Sequence, residues 1–285
     1  MIKLTGILRK MSVKHVNNQA YYYFSYAPYL DQQKIQDAPP RMIQESLNDY
    51  LGKPLKLHFG GQIYCIASGK KTKKSFNQGY SYESFLKLAA CDSCIMSPEK
   101  CHYHLGTCRE PDWGLRHCFA PHVVYLSNSS QMKVGITRKE QIPTRFIDQG
   151  ASWALPMIEV KSRYHSGLIE TKLKELIHDR THWKKMLQQE IDYIDLISKA
   201  NELKVIIDEY ALKHNISVDW LPFQELKIEY PILEIPKKFS SLDLEKLGSI
   251  EGELLGIKGQ YLILDSGVIN LRKYTGYLVN IELMR

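Results

Sequence analysis

Hydrophobic and polar positions change period along this chain, and the changes divide it. KLTGILRKM (3–11) and AYYYFSYAPYL (20–30) alternate as strands do, and PLKLHFGGQIYCIAS (54–68) adds a third extended piece. RMIQESLNDYL (41–51) sets Ile43, Leu47, Tyr50 and Leu51 at helical spacing and predicts a helix. From about 90 to 120 neither period is sustained, so that segment must take its order from something other than a hydrophobic face.

Regular patterning then returns. HVVYLSN and QMKVGIT read as two strands joined by the turn NSS, PTRFIDQ as a short helix opened by Pro143 and closed by Gly150, and LPMIEV as a third strand. SGLIETKLKELIHD places Ile169, Leu173, Leu176 and Ile177 on one helical face, with Ser166 as its N-cap. Further helices are expected over 181–189 and about 191–214. Beyond Pro222, short alternating runs separated by Gly256, Gly259, Gly267 and Gly276 predict a small antiparallel barrel or sheet. The expected class is α+β: a β-rich unit over 1–88, a central segment over 89–190, a helical extension over 191–221 and a small β unit over 222–285.

Composition narrows the function classes. The 38 Lys and Arg against 31 Asp and Glu leave a formal charge of +7, which favours anionic partners, nucleic acid among them, without a polybasic tail. No apolar run is long enough for a membrane span or a signal peptide, so a cytoplasmic protein without a membrane partner is expected.

In that compartment clustered cysteines are metal ligands more often than disulfides. Cys91, Cys94, Cys101, Cys108 and Cys118 follow the spacing C-x2-C-x6-C-x6-C-x9-C, with His102, His104, His117 and His122 interleaved. Tetrahedral Zn²⁺ takes four such donors, so a structural zinc is expected; five thiols for four places leave one over, unnamed by spacing. Glu99 and Glu110 stand near, but no H-x-E or H-E-x-x-H spacing makes the ion catalytic. Upstream, Cys65, Ser68, Ser81 and Ser84 have the C-x2-C…C-x2-C spacing of a zinc ribbon with three ligands replaced by serine, a poor zinc donor. Lys70, Lys71, Lys73 and Lys74 lie between them, as a solvated turn or as phosphate contacts.

Downstream come Tyr125 in VVY, Lys133 in KVG, Arg138, Arg145, and Glu170 on the amphipathic helix. In this strand, strand, helix, strand, helix order the stretch 122–180 resembles the GIY-YIG nuclease module. The resemblance implies that Tyr125 takes the place of the first tyrosine, Arg145 of the helix arginine and Glu170 of the carboxylate that binds one divalent ion such as Mg²⁺. Lys133 stands where the module's second tyrosine is found, which leaves one catalytic role unassigned. Such a set suits phosphodiester cleavage, where an arginine neutralises developing charge and a tyrosine orients the attacking water. Arg138 and the four lysines are the candidate nucleic-acid contacts.

Over 60–190, GKKTKKSFNQGY, CHYHLGTCREPDWGLRHC, PHVVYL, KVGITR, PTRFIDQGA and RYHSGLIE together resemble a bacterial family of unknown function. That resemblance implies cysteines in many members where Ser68, Ser81 and Ser84 stand here. Two readings remain: a metal-dependent nuclease, and a non-catalytic module that binds nucleic acid through its basic surface, with Trp113 and Tyr125 stacking bases, or that binds a protein.

Overall fold

The strand Tyr277–Leu283 runs antiparallel between Ile2–Leu8 and Pro54–Tyr64, so the two ends of the chain meet in one sheet. In this computed structural model, which describes residues 1–29, 41–43, 45–177, 183–187, 191–237 and 239–284, the chain divides into two compact units. One is Met1–Lys87 with Glu229–Arg285; the other is Leu88–Ile228. The separate N- and C-terminal β units expected over 1–88 and 222–285 are therefore one. The physical reason is non-local: Pro54–Tyr64 pairs on one side with Tyr277–Leu283 and on the other with Ser249–Lys258.

The nine-stranded sheet of this unit continues through Tyr261–Leu264 and Gly267–Asn270 at one end and Ser25–Pro28 and Arg41–Met42 at the other. One face buries Leu55, Leu57, Ile250, Ile281 and Leu283; the other carries the alternating row Lys3, Glu282, Lys56, Glu251 across four strands. The helix expected over 41–51 is instead the short strand Arg41–Met42 and one 3₁₀ turn, Leu47–Tyr50; Gln44 lies outside the described residues. Asn48 explains the difference, since its side chain accepts from Tyr22 N–H and donates to the Ala20 carbonyl, pinning the turn to the strand Gln19–Tyr23. That strand forms a hairpin with Ser12–Val16, turned at Asn17 and Asn18, both at positive φ.

In the second unit His122–Asn128 lies between Met132–Arg138 and Trp153–Val160, and Val218–Trp220 and Leu226–Lys227 pair with the outer side of Trp153–Val160, all antiparallel. Val124, Leu126, Val134 and Ile136 meet Ile169 and Leu173 of the helix Arg163–Lys174 and Leu196, Ala200, Leu203 and Ile207 of the helix Leu196–Lys213 in one core. The residues expected as a separate extension over 191–221 are thus part of this unit, because that helix buries its apolar stripe on the sheet. Within the helix expected over 181–189, Trp183–Leu187 is helical and the remaining positions lie outside the described residues, as do residues 178 and 179 of the preceding helix. Among the described residues no helix is long and apolar enough to cross a membrane.

The Arg163–Lys174 helix begins one turn before its expected cap. Ser162 is the N-cap, its side chain accepting from His165 N–H, while Ser166 lies buried within the helix and donates to the Arg163 carbonyl. Ser162→Ala is expected to destabilise the protein by about 1 kcal/mol in urea denaturation; a change near zero would return the cap to Ser166.

Candidate functional site

Tyr125 and Gly135 face each other across the first two strands, and a Cβ on Gly135 would sit 2.6 Å from the Tyr125 ring and hydroxyl. The glycine of the KVG triplet is there because the tyrosine lies over it. Lys133, two positions along the same strand, shares that face. Tyr125 is fully buried, edge-on to Phe146 at 4.7 Å between ring centroids.

The Thr144–Asp148 helix supplies Arg145, and Gln149 caps its end. With the Gln149 amide turned so that both ends are satisfied, its nitrogen donates to Tyr125 Oη at 2.8 Å and its oxygen accepts from Arg145 Nε at 3.2 Å and Nη2 at 3.1 Å. Burial raises the Tyr125 phenol above its ordinary range, against the pull of Arg145, so it keeps its proton at neutral pH. Glu170 contributes a nearby negative charge, and its carboxylate lies 3.2 Å from Lys174 Nζ. Gln149 thus joins Tyr125 to Arg145 in one polar cluster, with Glu170 near enough for its charge to bear on Tyr125 and Lys133 on the same sheet face as Tyr125. Arg138 sits at the far end of Lys133's strand, paired with Glu140 at 2.9 Å.

Two residues of this centre went unnoticed in the sequence. Gln149 is four residues after Arg145, the spacing at which helical side chains meet, so it was findable. Arg163 was not. Its main-chain N–H donates to the Cys118 carbonyl at 2.7 Å and its Nη2 to the Ile95 carbonyl at 2.6 Å. Its buried Nε has no hydrogen-bond partner among the described residues.

The cysteine segment is a chain of single 3₁₀ turns, Ala89–Cys91, Ser93–Ile95, Pro98–Lys100 and Tyr103–Leu105, followed by the helix Pro111–His117. Cys94, Cys101, Cys108 and Cys118, with Asp92 and His102, line one cavity of about 20 Å³, room for about one water-sized occupant. Cys91 is buried and does not line it. Burial, then Asp92 and the neighbouring thiols, push the Cys94 thiol up to about 11; burial also raises Cys118, against the pull of Arg163.

Ligand atoms of Asp92, Cys94 and His102 lie within 4.8 Å of one another, a grouping able to hold a metal ion. Two of them have other partners: Asp92 pairs with Arg109 Nε at 2.8 Å, and His102 meets Thr107 Oγ1 through Nδ1 at 2.7 Å and Asp92 through Nε2 at 3.5 Å. Glu110 accepts from Ala89 N–H at 2.6 Å. Trp113 stacks on His117 at 4.2 Å, so its face is occupied, and His104 is exposed.

In the other unit Cys65, Ser68, Ser81 and Ser84 converge as their spacing implies. The Cys65 thiol is 3.2 Å from Ser84 Oγ, which is 3.2 Å from Ser81 Oγ, and Ser68 N–H points to the sulfur at 3.5 Å. Burial pushes this thiol up, but hydrogen bonds from Ser68, Ser84 and Ser81 outweigh it and bring it down to about 6. Lys70, Lys71, Lys73 and Lys74 are exposed around the connecting turn.

Fold and site together define an α+β protein with a candidate metal-binding cysteine segment and a separate tyrosine, arginine and glutamate centre. A family model described as "Protein of unknown function (DUF2797)" matches residues 52–279, and the chain belongs to that family. No curated protein and no solved structure matches it.

His122, which opens the central strand, gives this unit a pH dependence. Its Nδ1 meets the Ala120 carbonyl at 2.7 Å and its Nε2 is buried without a hydrogen-bond partner, so the neutral ring fits. Burial, with Arg163 and Arg138 adding to it, lowers it from 6.5 to about 4. The folded state refuses a proton that the unfolded state accepts, so stability present above pH 6.5 is lost as pH falls toward 4, by about 3 kcal/mol for this group. Denaturant titrations across that range should show the loss, and His122→Phe should flatten it; an unchanged slope would remove His122 as its source.

Proposed function

We propose that this protein acts on nucleic acid through a GIY-YIG-like module, with Tyr125, Arg145 and Glu170 as a phosphodiester-cleaving centre and a structural zinc ion in the cysteine segment. The observation that carries the reading is that Gln149 joins Tyr125 to Arg145, with the charge of Glu170 nearby, from a strand, a short helix and a long helix in the order that module uses. Arg145 would hold and neutralise a non-bridging phosphate oxygen. Tyr125, protonated, fully buried and hydrogen-bonded to Gln149, would position Arg145 through that amide. Its burial favours this role over that of a base.

Glu170 is one carboxylate, which suffices for Mg²⁺ when waters complete its shell, and Lys174 would have to share it. Bound there, the ion would supply Lewis-acid stabilisation of the phosphate. Exposed Lys70, Lys71, Lys73 and Lys74, with Arg138, are the proposed backbone contacts.

Zinc suits the cysteine segment because soft thiolates in tetrahedral number select it. The site at Cys65 offers one ionisable donor and three serines, too few thiolates for zinc, so the stoichiometry expected is one zinc per chain. A second reading, nucleic-acid binding without turnover, is favoured by one observation: Lys133 rather than tyrosine shares the sheet face of Tyr125.

The test is cleavage and binding of labelled single- and double-stranded DNA and RNA with Mg²⁺ or Mn²⁺, comparing wild type with Glu170→Gln. Expected is binding by both and cleavage at least about a hundredfold slower in the variant. Cleavage that survives the substitution removes Glu170 from the mechanism. Salt-sensitive binding without cleavage by either protein selects the second reading.

A further inference from the structure

The polar atoms of the cysteine segment fall into two sets. Asp92 and His102 line the same cavity as the thiols but are already engaged, Asp92 with Arg109 at 2.8 Å, His102 with Thr107 at 2.7 Å, and the two with each other at 3.5 Å, so an ion drawn to either would compete with at least that last contact. Cys94, Cys101, Cys108 and Cys118 also line that cavity, come from four successive pieces of the segment, and are the soft donors in it. Cys91 is buried and is not among the residues that line it.

Four thiolates on one Zn²⁺ carry two more negative charges than the ion supplies, and that excess on half-buried sulfurs calls for a compensating cation or N–H donors nearby. Arg163 answers that requirement. No carboxylate lies within ion-pair distance of its guanidinium among the described residues, its Nε is buried and unpartnered, and its other contacts are the Ile95 and Cys118 carbonyls, each next to a thiol of the cluster. Its charge is favoured by those of Cys118, Glu170 and Cys94 and opposed by that of Arg145.

The helix that Arg163 opens has no slack against the segment. A Cβ at Gly167 would stand 2.5 Å from Pro98 Cβ and 2.9 Å from Glu99 N. Glu170 follows one turn later on the same helix.

We infer that Cys94, Cys101, Cys108 and Cys118 bind one zinc ion as a four-thiolate centre, and that Arg163 is its counter-cation and a positioning residue that ties metal occupancy to the placement of the Glu170 helix. The inference rests on the zinc part of the proposed function and is independent of cleavage. Outer groups that hydrogen-bond or neutralise metal ligands typically tune affinity by about ten- to a hundredfold. By linkage, whatever the metal contributes to holding Arg163, Arg163 contributes to holding the metal.

The test combines zinc titration with amide hydrogen exchange on the full chain. Wild type and Cys91→Ser should each bind one zinc with equal affinity, and Arg163→Gln should bind it at least about tenfold more weakly. Treatment with a zinc chelator should speed exchange over 163–167 by at least about tenfold while the 122–128 strand keeps its protection, and Arg163→Gln should show the same loosening with zinc bound. Loss of zinc in Cys91→Ser, unchanged affinity in Arg163→Gln, or exchange over 163–167 indifferent to the chelator would each overturn the inference. A chain that binds no zinc would overturn both this inference and the zinc reading, whereas cleavage is judged separately by Glu170→Gln.

Discussion

A segment without a hydrophobic face must be held by its side chains. Residues 88–121 form four one-turn 3₁₀ pieces and one seven-residue helix, none long enough to stand on its own hydrogen bonds. What holds them is cross-linking by the Asp92 pair with Arg109, the Glu110 bond to Ala89 and the close packing of Gly167 on Pro98, to which a metal in the thiol-lined cavity would add. The tie that this structure adds is Arg163, whose backbone and side chain both bond carbonyls of the segment. The same residue opens the Glu170 helix, so one side chain joins that helix to a segment that has no core of its own.

A second constraint acts inside the sheet. Tyr125 lies over Gly135, so the middle of the Met132–Arg138 strand has no room for a side chain on that face. The alternate positions Val124, Leu126, Val134 and Ile136 face the apolar core with the two long helices. One pair of strands therefore serves two ends: one side supplies the unit's stability, and the other carries the tyrosine, the lysine and the contacts of Arg145 and Gln149.

Local periods were legible and long-range pairing was not. The strands at 122–128, 132–138 and 153–160 read clearly because apolar residues crowd them and turn residues bound them. The meeting of Ile2–Leu8 with Tyr277–Leu283 joins residues more than 270 positions apart, and no window of sequence contains it. The pattern at 41–51 suggested a helix from four apolar positions, but the strand edge captured by Asn48 won over local periodicity. Ser166 sits where an apolar stripe begins, yet the cap is Ser162, because Tyr164 and His165 between them gave no periodic signal. In the candidate site, residue types named Tyr125, Arg145 and Glu170, and spacing alone recovers Gln149. Arg163 acts mainly through backbone carbonyls, which leave no trace in a side-chain pattern, and Cys91 could be parted from the other cysteines only by the folded chain.

The central claim is that the cysteine segment is organised by one four-thiolate metal centre. X-ray absorption at the zinc edge of the purified chain tests it most directly, because sulfur and nitrogen or oxygen donors sit at different distances. The account predicts a single shell of four sulfur atoms at about 2.3 Å. A mixed shell with nitrogen or oxygen at about 2.0–2.2 Å would contradict it and place Asp92 or His102 on the ion instead.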